Sequence, residues 1–276
     1  MLMPPMAKKI LLHPGFHKTG TSTAQHVFWL NRDLLAPHVA IFQLRHLREV
    51  AKLCMGYAKT QNPLLLMDMI DSLDSVFADV TAADPRHILI SCEGLSGHLP
   101  GWPDVDTYAA APVTISYICG YLADRFPDHA LSVTLTTRGA DEWLYSAYRH
   151  HLRGYRLRES WDEFRTALRA AADLDAVVCD IREGTAPVPV TALPLEASRN
   201  HPLGPGGAIL NGLDLPSGLM ARLDPVDVGN QGPSDDLAEK FLALNLGDLP
   251  DGEVQAQKDA LAEMSGVGGW KKVSRA

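Results

Sequence analysis

Two spacings of apolar residues alternate along the chain. Ile10, Leu11 and Leu12 form a short unbroken apolar run, residues 86–93 (RHILISCE) a second, and residues 130–137 (ALSVTLTT) alternate and are rich in β-branched side chains; with residues 188–195 these predict strands. Between them apolar residues recur every three or four positions. Ala24, Val27, Phe28 and Leu30 mark a helix that Pro37 ends. Leu44, Leu47, Val50, Ala51 and Cys54 mark another over residues 43–57, and Leu65, Leu66, Met69, Ile70 and Leu73 a third over 62–77. In that third helix Met67 and Met69 read as core, and in the second His46 and Glu49 lie on the polar side. Further helices are predicted over residues 113–126, closed by Pro127, from Asp141 through Arg153, over 160–172, and over 230–245 with a cap near Ser234. Residues 197–212 are full of Gly, Pro and Asn without periodicity and read as a long loop, of the kind that serves as a lid. Strands alternating with helices predict a three-layer α/β/α fold with a central, mainly parallel sheet, in one domain spanning 1–276. No internal repeat and no linker interrupts it.

Composition narrows the partners. Hydrophobic residues at 46% and charged residues at 21% are ordinary for a globular chain, and a net charge of -8 argues against a nucleic-acid binder. An anionic ligand therefore has to be held by local positive charge. One local basic run exists, Arg149, His150, His151, Arg153, Arg156 and Arg158, which reads either as a solvated helix face or as a positive rim that steers charged ligands. Cys54, Cys92, Cys119 and Cys179 are scattered, with no zinc-ligand spacing, and read as reduced buried thiols. Prolines interrupt the first residues where a signal peptide needs an apolar segment, and no run is long enough to span a bilayer, so the expected location is the cytoplasm.

Chemistry concentrates in residues 8–25, KKILLHPGFHKTGTSTAQ. Pro14 and Gly15 break the strand at His13, and from Gly20 onward Thr21, Ser22 and Thr23 offer caps to the helix that follows. Free N–H groups, the helix dipole, the Lys18 ammonium and the hydroxyls of Thr19, Thr21 and Ser22 are thus expected to converge on one anion. In the nucleotide-triphosphate loop G-x-x-x-x-G-K-[ST] the lysine follows the second glycine. Here Gly15 and Gly20 keep the glycine spacing, Thr21 stands at the lysine position, and Lys18 lies inside the turn.

This pattern, G-x-x-K-T-G-T-S, resembles the 5′-phosphosulfate loop of the sulfotransferases, which use 3′-phosphoadenosine 5′-phosphosulfate. The string from Arg138 through Ser146 to Arg149, R-x-x-x-x-x-x-x-S-x-Y-R, resembles that family's 3′-phosphate segment at Arg138 and Ser146, and Ser91, Cys92 and Glu93 resemble the serine-and-glutamate segment of its bacterial-type members. The C-terminal SGVGGWKK is similar to a glycine-tryptophan-lysine segment that closes over the donor in the cytosolic branch. Glu263 and Met264 replace the basic pair found there, and Trp270 is read as a packing aromatic.

The resemblance implies a P-loop-like fold, Gly15, His17, Lys18, Thr19, Gly20, Thr21, Ser22, Arg138 and Ser146 as donor-binding residues, and in-line sulfuryl transfer with Lys18 neutralising the leaving group. It requires no metal. Glu93, at a strand end, carries two readings: general base, or a carboxylate that caps loop N–H groups or orients Lys18. His46 is the second candidate base. The acceptor class stays open among carbohydrate, lipid and small metabolite, and the rival functions are a nucleotide-dependent kinase and a non-catalytic nucleotide-binding protein.

Overall fold

The computed structural model describes residues 8–198, 200–226 and 232–267. Strands β1 (Lys9–His13), β2 (Val39–Gln43), β3 (His87–Ser91), β4 (Ala130–Thr137) and β5 (Val190–Pro194) form an all-parallel sheet in the order β2-β3-β1-β4-β5. β1 is central, with Leu11 opposite Leu89 of β3 and Ser132 of β4. Its unbroken apolar run follows from burial on both faces. Ile10 and Leu12 enter one cluster with Leu47, Val50, Ile115 and Ile181, and Leu11 enters another with Val27, Phe28 and Ile209. Helices therefore flank the sheet: Leu44–Thr60, Leu64–Val76, Ala111–Arg125 and Leu174–Gly184 feed the first cluster, Thr21–Leu30 and Gly204–Leu210 the second.

The connections decide where a ligand can sit. β1 leads to β2 on one side of itself, whereas β3, its neighbour, leads across it to β4 on the other. Right-handed crossovers then put the two following segments on opposite faces, and the rule for open α/β sheets puts the expected ligand position at this switch, outside the carboxyl ends of β1 and β3.

Several expectations change. The 197–212 stretch is not a lid: Leu203, Ile209 and Leu210 are core residues, and Gly204–Leu210 is a helix pressed against Thr21–Leu30. A Cβ at Gly206 would lie 2.7 Å from Val27 Cβ, so the glycines that suggested a loop serve close helix contact instead. β2 and the helices Leu174–Gly184 and Asp251–Met264 lie where no element was predicted. Met69 is fully buried but Met67 is 65% exposed. Cys54, Cys92 and Cys119 are buried free thiols, and burial holds Cys92 and Cys119 up at about 12, while Cys179 is exposed, against expectation. Among the described residues no helix is long and apolar enough to cross a membrane. Trp270 and its neighbours lie outside the described residues.

The two last helices, Asp235–Leu246 and Asp251–Met264, clamp the end of Ala140–Gly154. Ser234 caps the first of them, accepting from Leu237 N–H at 3.3 Å. Lys258, 1% exposed, donates Nζ to the carbonyls of Leu152 (3.1 Å) and Tyr155 (2.9 Å), and Asn245 Nδ2 donates to those of Leu152 (3.1 Å) and Leu157 (2.8 Å). A cation placed on the last carbonyls of a helix also opposes its dipole.

Candidate anion site at the β1–β3 crevice

Between His13 and the helix Thr21–Leu30 the backbone turns back on itself. Gly15 (φ 126°), Lys18 (65°) and Gly20 (89°) take left-handed conformations, open to glycine and strained for lysine. Gly20 is constrained twice, since a Cβ there would also stand 2.7 Å from Leu195 Cδ1. It is the N-cap of the helix, so the expected capping by Thr21, Ser22 or Thr23 is not made, and the cap has no side-chain hydrogen bond.

Every carbonyl from Pro14 to Lys18 is taken by the protein. Ser96 Oγ donates to Pro14 O at 2.6 Å, Thr136 N–H to Gly15 O at 2.8 Å, and Thr19 Oγ1 to Phe16 O at 2.5 Å. Trp143 Nε1 donates to His17 O at 3.0 Å and Arg138 Nη1 to Lys18 O at 3.2 Å. With its acceptors engaged, what the turn offers a ligand is donors. These include the N–H groups of Thr21, Ser22 and Thr23, for which the described residues supply no acceptor. The hydroxyls divide differently from expectation: Thr19 and Thr21 bond back to Phe16 O, Thr21 at 3.3 Å, and only Ser22 of the three makes no such bond.

Charge around the turn is mixed and close. Burial lowers Lys18 from the usual lysine range to about 8, Arg138 and Arg149 push the same way, and Glu93 opposes them. Burial also holds His17 down at about 3, with help from His98 and Lys18, so this imidazole is neutral; its Nδ1 lies 3.3 Å from the Tyr108 hydroxyl. Glu93 opens the one-turn helix Glu93–Ser96 directly after β3, across from Gly15, where a Cβ would sit 3.4 Å from Glu93 Cα. Its partner is Gln25, whose Nε2 donates to Oε2 at 2.8 Å while Gln43 Nε2 holds the Gln25 carbonyl at 2.7 Å. No loop N–H is bonded to Glu93 among the described residues.

His46, the second candidate base, sits in a helix cap. It is exposed at the start of Leu44–Thr60, where Nδ1 accepts from Gln43 N–H at 3.1 Å in a capping box, which leaves the ring proton of the neutral imidazole on Nε2, 3.1 Å from Arg45 Nε. The capping bond orients the ring toward its own helix turn.

Beside Arg138 a cleft of about 490 Å³ opens between the ends of β4 and β5, walled by Thr137, Gly139, Asp173, Leu174, Pro194 and Glu196. Ser146 is half-buried one turn beyond Trp143 and is not on that wall. The basic run beyond it is neither a solvated face nor an open rim. Arg149 pairs with Asp235 (3.6 Å), Arg153 with Asp259 (3.9 Å) and Arg156 with Asp251 (2.6 Å), all acids of the last two helices. Residues that the motifs did not single out, Gln25, Ser96, Thr136 and Trp143, do much of the positioning. Among the described residues no group of three His, Cys, Asp or Glu side chains is arranged to hold a metal ion. Comparison of the sequence with protein-family models and with curated proteins gives no match.

Proposed function

We propose that this chain is a sulfotransferase of P-loop-like, three-layer architecture that moves a sulfuryl group from 3′-phosphoadenosine 5′-phosphosulfate to a hydroxyl or amine. The observation that carries the reading is the turn from Pro14 to Lys18, whose five carbonyls all accept bonds from the protein, so that what it has left for a ligand is the N–H groups at the following helix start and the Lys18 ammonium. Lys18 inside the turn, in place of a lysine after Gly20, favours sulfuryl over nucleoside-triphosphate chemistry. The donor's 5′-phosphosulfate would lie on the turn and its 3′-phosphate near Arg138 and Ser146, with the adenosine in the cleft beside β4 and β5. The acceptor oxygen or nitrogen attacks sulfur, the bond from sulfur to the bridging phosphate oxygen breaks, and Lys18 neutralises the charge that develops there. Glu93, held by Gln25, receives the acceptor's proton. The acceptor is a carbohydrate, lipid or small metabolite, and a cytoplasmic setting matches the reading.

Titration calorimetry tests this directly. Adenosine 3′,5′-bisphosphate is expected to bind at least about 10-fold more tightly than adenosine 5′-phosphate, the charged contact to a second phosphate being worth more than about 1.4 kcal/mol. Preference for ATP with magnesium would overturn the proposal in favour of a kinase.

A further inference from the structure

Under the turn, four side chains with no solvent exposure stand in line across three strands: Ser91 on β3, His13 on β1, Thr136 on β4, and Thr19 in the turn itself. Ser91 Oγ is 2.8 Å from His13 Nδ1, and His13 Nε2 is 3.3 Å from Thr136 Oγ1. Thr136 Oγ1 is 2.6 Å from Thr19 Oγ1, which is 2.5 Å from Phe16 O.

The direction of each bond follows from proton counting. A carbonyl only accepts, so Thr19 donates to Phe16 O. A hydroxyl has one proton, so at the Thr19–Thr136 contact Thr136 must be the donor. The Thr136 hydroxyl is also within donor range of the Gly15 carbonyl at 3.2 Å, but no other proton can bridge its closer 2.6 Å approach to Thr19, and a proton given to either leaves none for His13. With its proton committed, Thr136 Oγ1 can only accept from His13, which puts the imidazole proton on Nε2. Burial keeps this ring neutral, at about 4, although Glu93 acts against that, so Nδ1 is bare and accepts from Ser91.

We infer that Ser91, His13, Thr136 and Thr19 form a one-way hydrogen-bond chain that fixes His13 as its Nε2–H tautomer and holds the Phe16 carbonyl away from the ligand side of the Lys18 turn. These are positioning residues. A break in the chain loosens the Thr19 hold on the Phe16 carbonyl, which the longer 3.3 Å bond from Thr21 alone secures less well, because bonds in such a line reinforce one another. The effect on donor binding rests on the sulfotransferase reading, whereas the tautomer and the stiffness of the turn do not.

Long-range ¹H–¹⁵N correlation spectra of the histidine-labelled full chain at neutral pH read the tautomer, and amide exchange of residues 16–20 reads the turn. The expected result is a protonated Nε2 and bare Nδ1 at His13. In Thr136→Val, turn exchange should rise by about 10-fold, as loss of one buried hydrogen bond implies, while exchange in the flanking helices stays as in wild type. Affinity for adenosine 3′,5′-bisphosphate should fall by a similar factor, and Thr136→Ser should restore both. If Thr136→Val does not fold, Thr19→Val takes its place and should raise turn exchange in the same way, because it removes the donor to Phe16 O itself and leaves the Thr136 proton uncommitted. A protonated Nδ1 in wild type, or unchanged turn exchange in the folded variant, overturns the inference. Wild type that shows the predicted tautomer and turn exchange but ignores the bisphosphate overturns the sulfotransferase reading and leaves the chain standing.

Discussion

Arg138 donates Nη1 to the carbonyl oxygen of Lys18 at 3.2 Å, so the side chain proposed to grip one end of the donor also holds the backbone of the residue proposed to act at the other. The two ends of the site are joined by one guanidinium.

Arg138→Ala should therefore reduce affinity for adenosine 3′,5′-bisphosphate by about 100-fold, in line with loss of a hydrogen-bonded charge, and reduce kcat as well. Arg138→Lys keeps the charge without the planar fork and should recover only part of either. Calorimetry and steady-state kinetics measure the two separately. A kcat unchanged in Arg138→Ala would show that its bond to Lys18 has no mechanical consequence.

Lys18 must be protonated to neutralise a leaving phosphate. Because burial brings it to about 8, kcat/KM should fall as pH rises through that value, and Lys18→Arg should remove this alkaline limb. The stability effect has the opposite sense. The unfolded chain keeps this proton up to the ordinary lysine value of 10.5 and the folded chain releases it near 8, so between the two the unfolded state binds more protons and stability rises with pH. At neutral pH both states carry the charge and burial opposes folding in full. Lys18→Met is expected to lose about 100-fold or more in turnover yet melt at or above the wild-type Tm.

Glu93→Gln should lower turnover by about 100-fold or more with donor affinity near normal, since general-base catalysis contributes on that scale. Gln25→Ala leaves the carboxylate in place without its anchor and should give a smaller loss in kcat. His46→Ala should keep full activity and lose about 1 kcal/mol of stability as a broken cap, measured by urea unfolding. An inactive but stable His46→Ala would reverse these roles.

Gly20→Ala combines a left-handed backbone with a Cβ 2.7 Å from Leu195. A loss of about 1–3 kcal/mol is expected, with weakened bisphosphate binding, because the helix N-terminus has to shift to relieve the contact. Leu195→Ala in the same chain should recover part of the stability. Thermal melts of the single and double variants decide it.

The sequence carried β1, β3 and β4 within about a residue or two, because their apolar runs are short, bounded by turn residues and buried on both faces. It also placed Lys18, Arg138 and Glu93 at strand ends on one edge of the sheet. It did not reveal β2, whose five residues run without a turn into Leu44–Thr60, so that helical spacing hides the strand. Nor did it reveal Gly204–Leu210, where glycine, ordinarily a loop signal, is what lets two helices touch. The direction of the Thr19 hydroxyl was out of reach for another reason. A hydroxyl in a turn can face ligand or backbone, and here the inward Phe16 carbonyl, itself a product of tertiary folding, decides.

The place of β1 in the middle of the sheet has a consequence for how the chain is made. Of the five described strands it leaves the ribosome before the others, yet its partners are residues 87–91 and 130–137, and the turn that follows it is held by Ser96, Thr136, Arg138 and Trp143. At roughly 5–20 residues per second, Ile10, Leu11 and Leu12 wait on the order of ten seconds without the neighbours that will cover them. Through that interval the nascent chain carries the apolar centre of its middle strand bare, and it depends on chaperones or on provisional contacts with its own early helices to stay in solution.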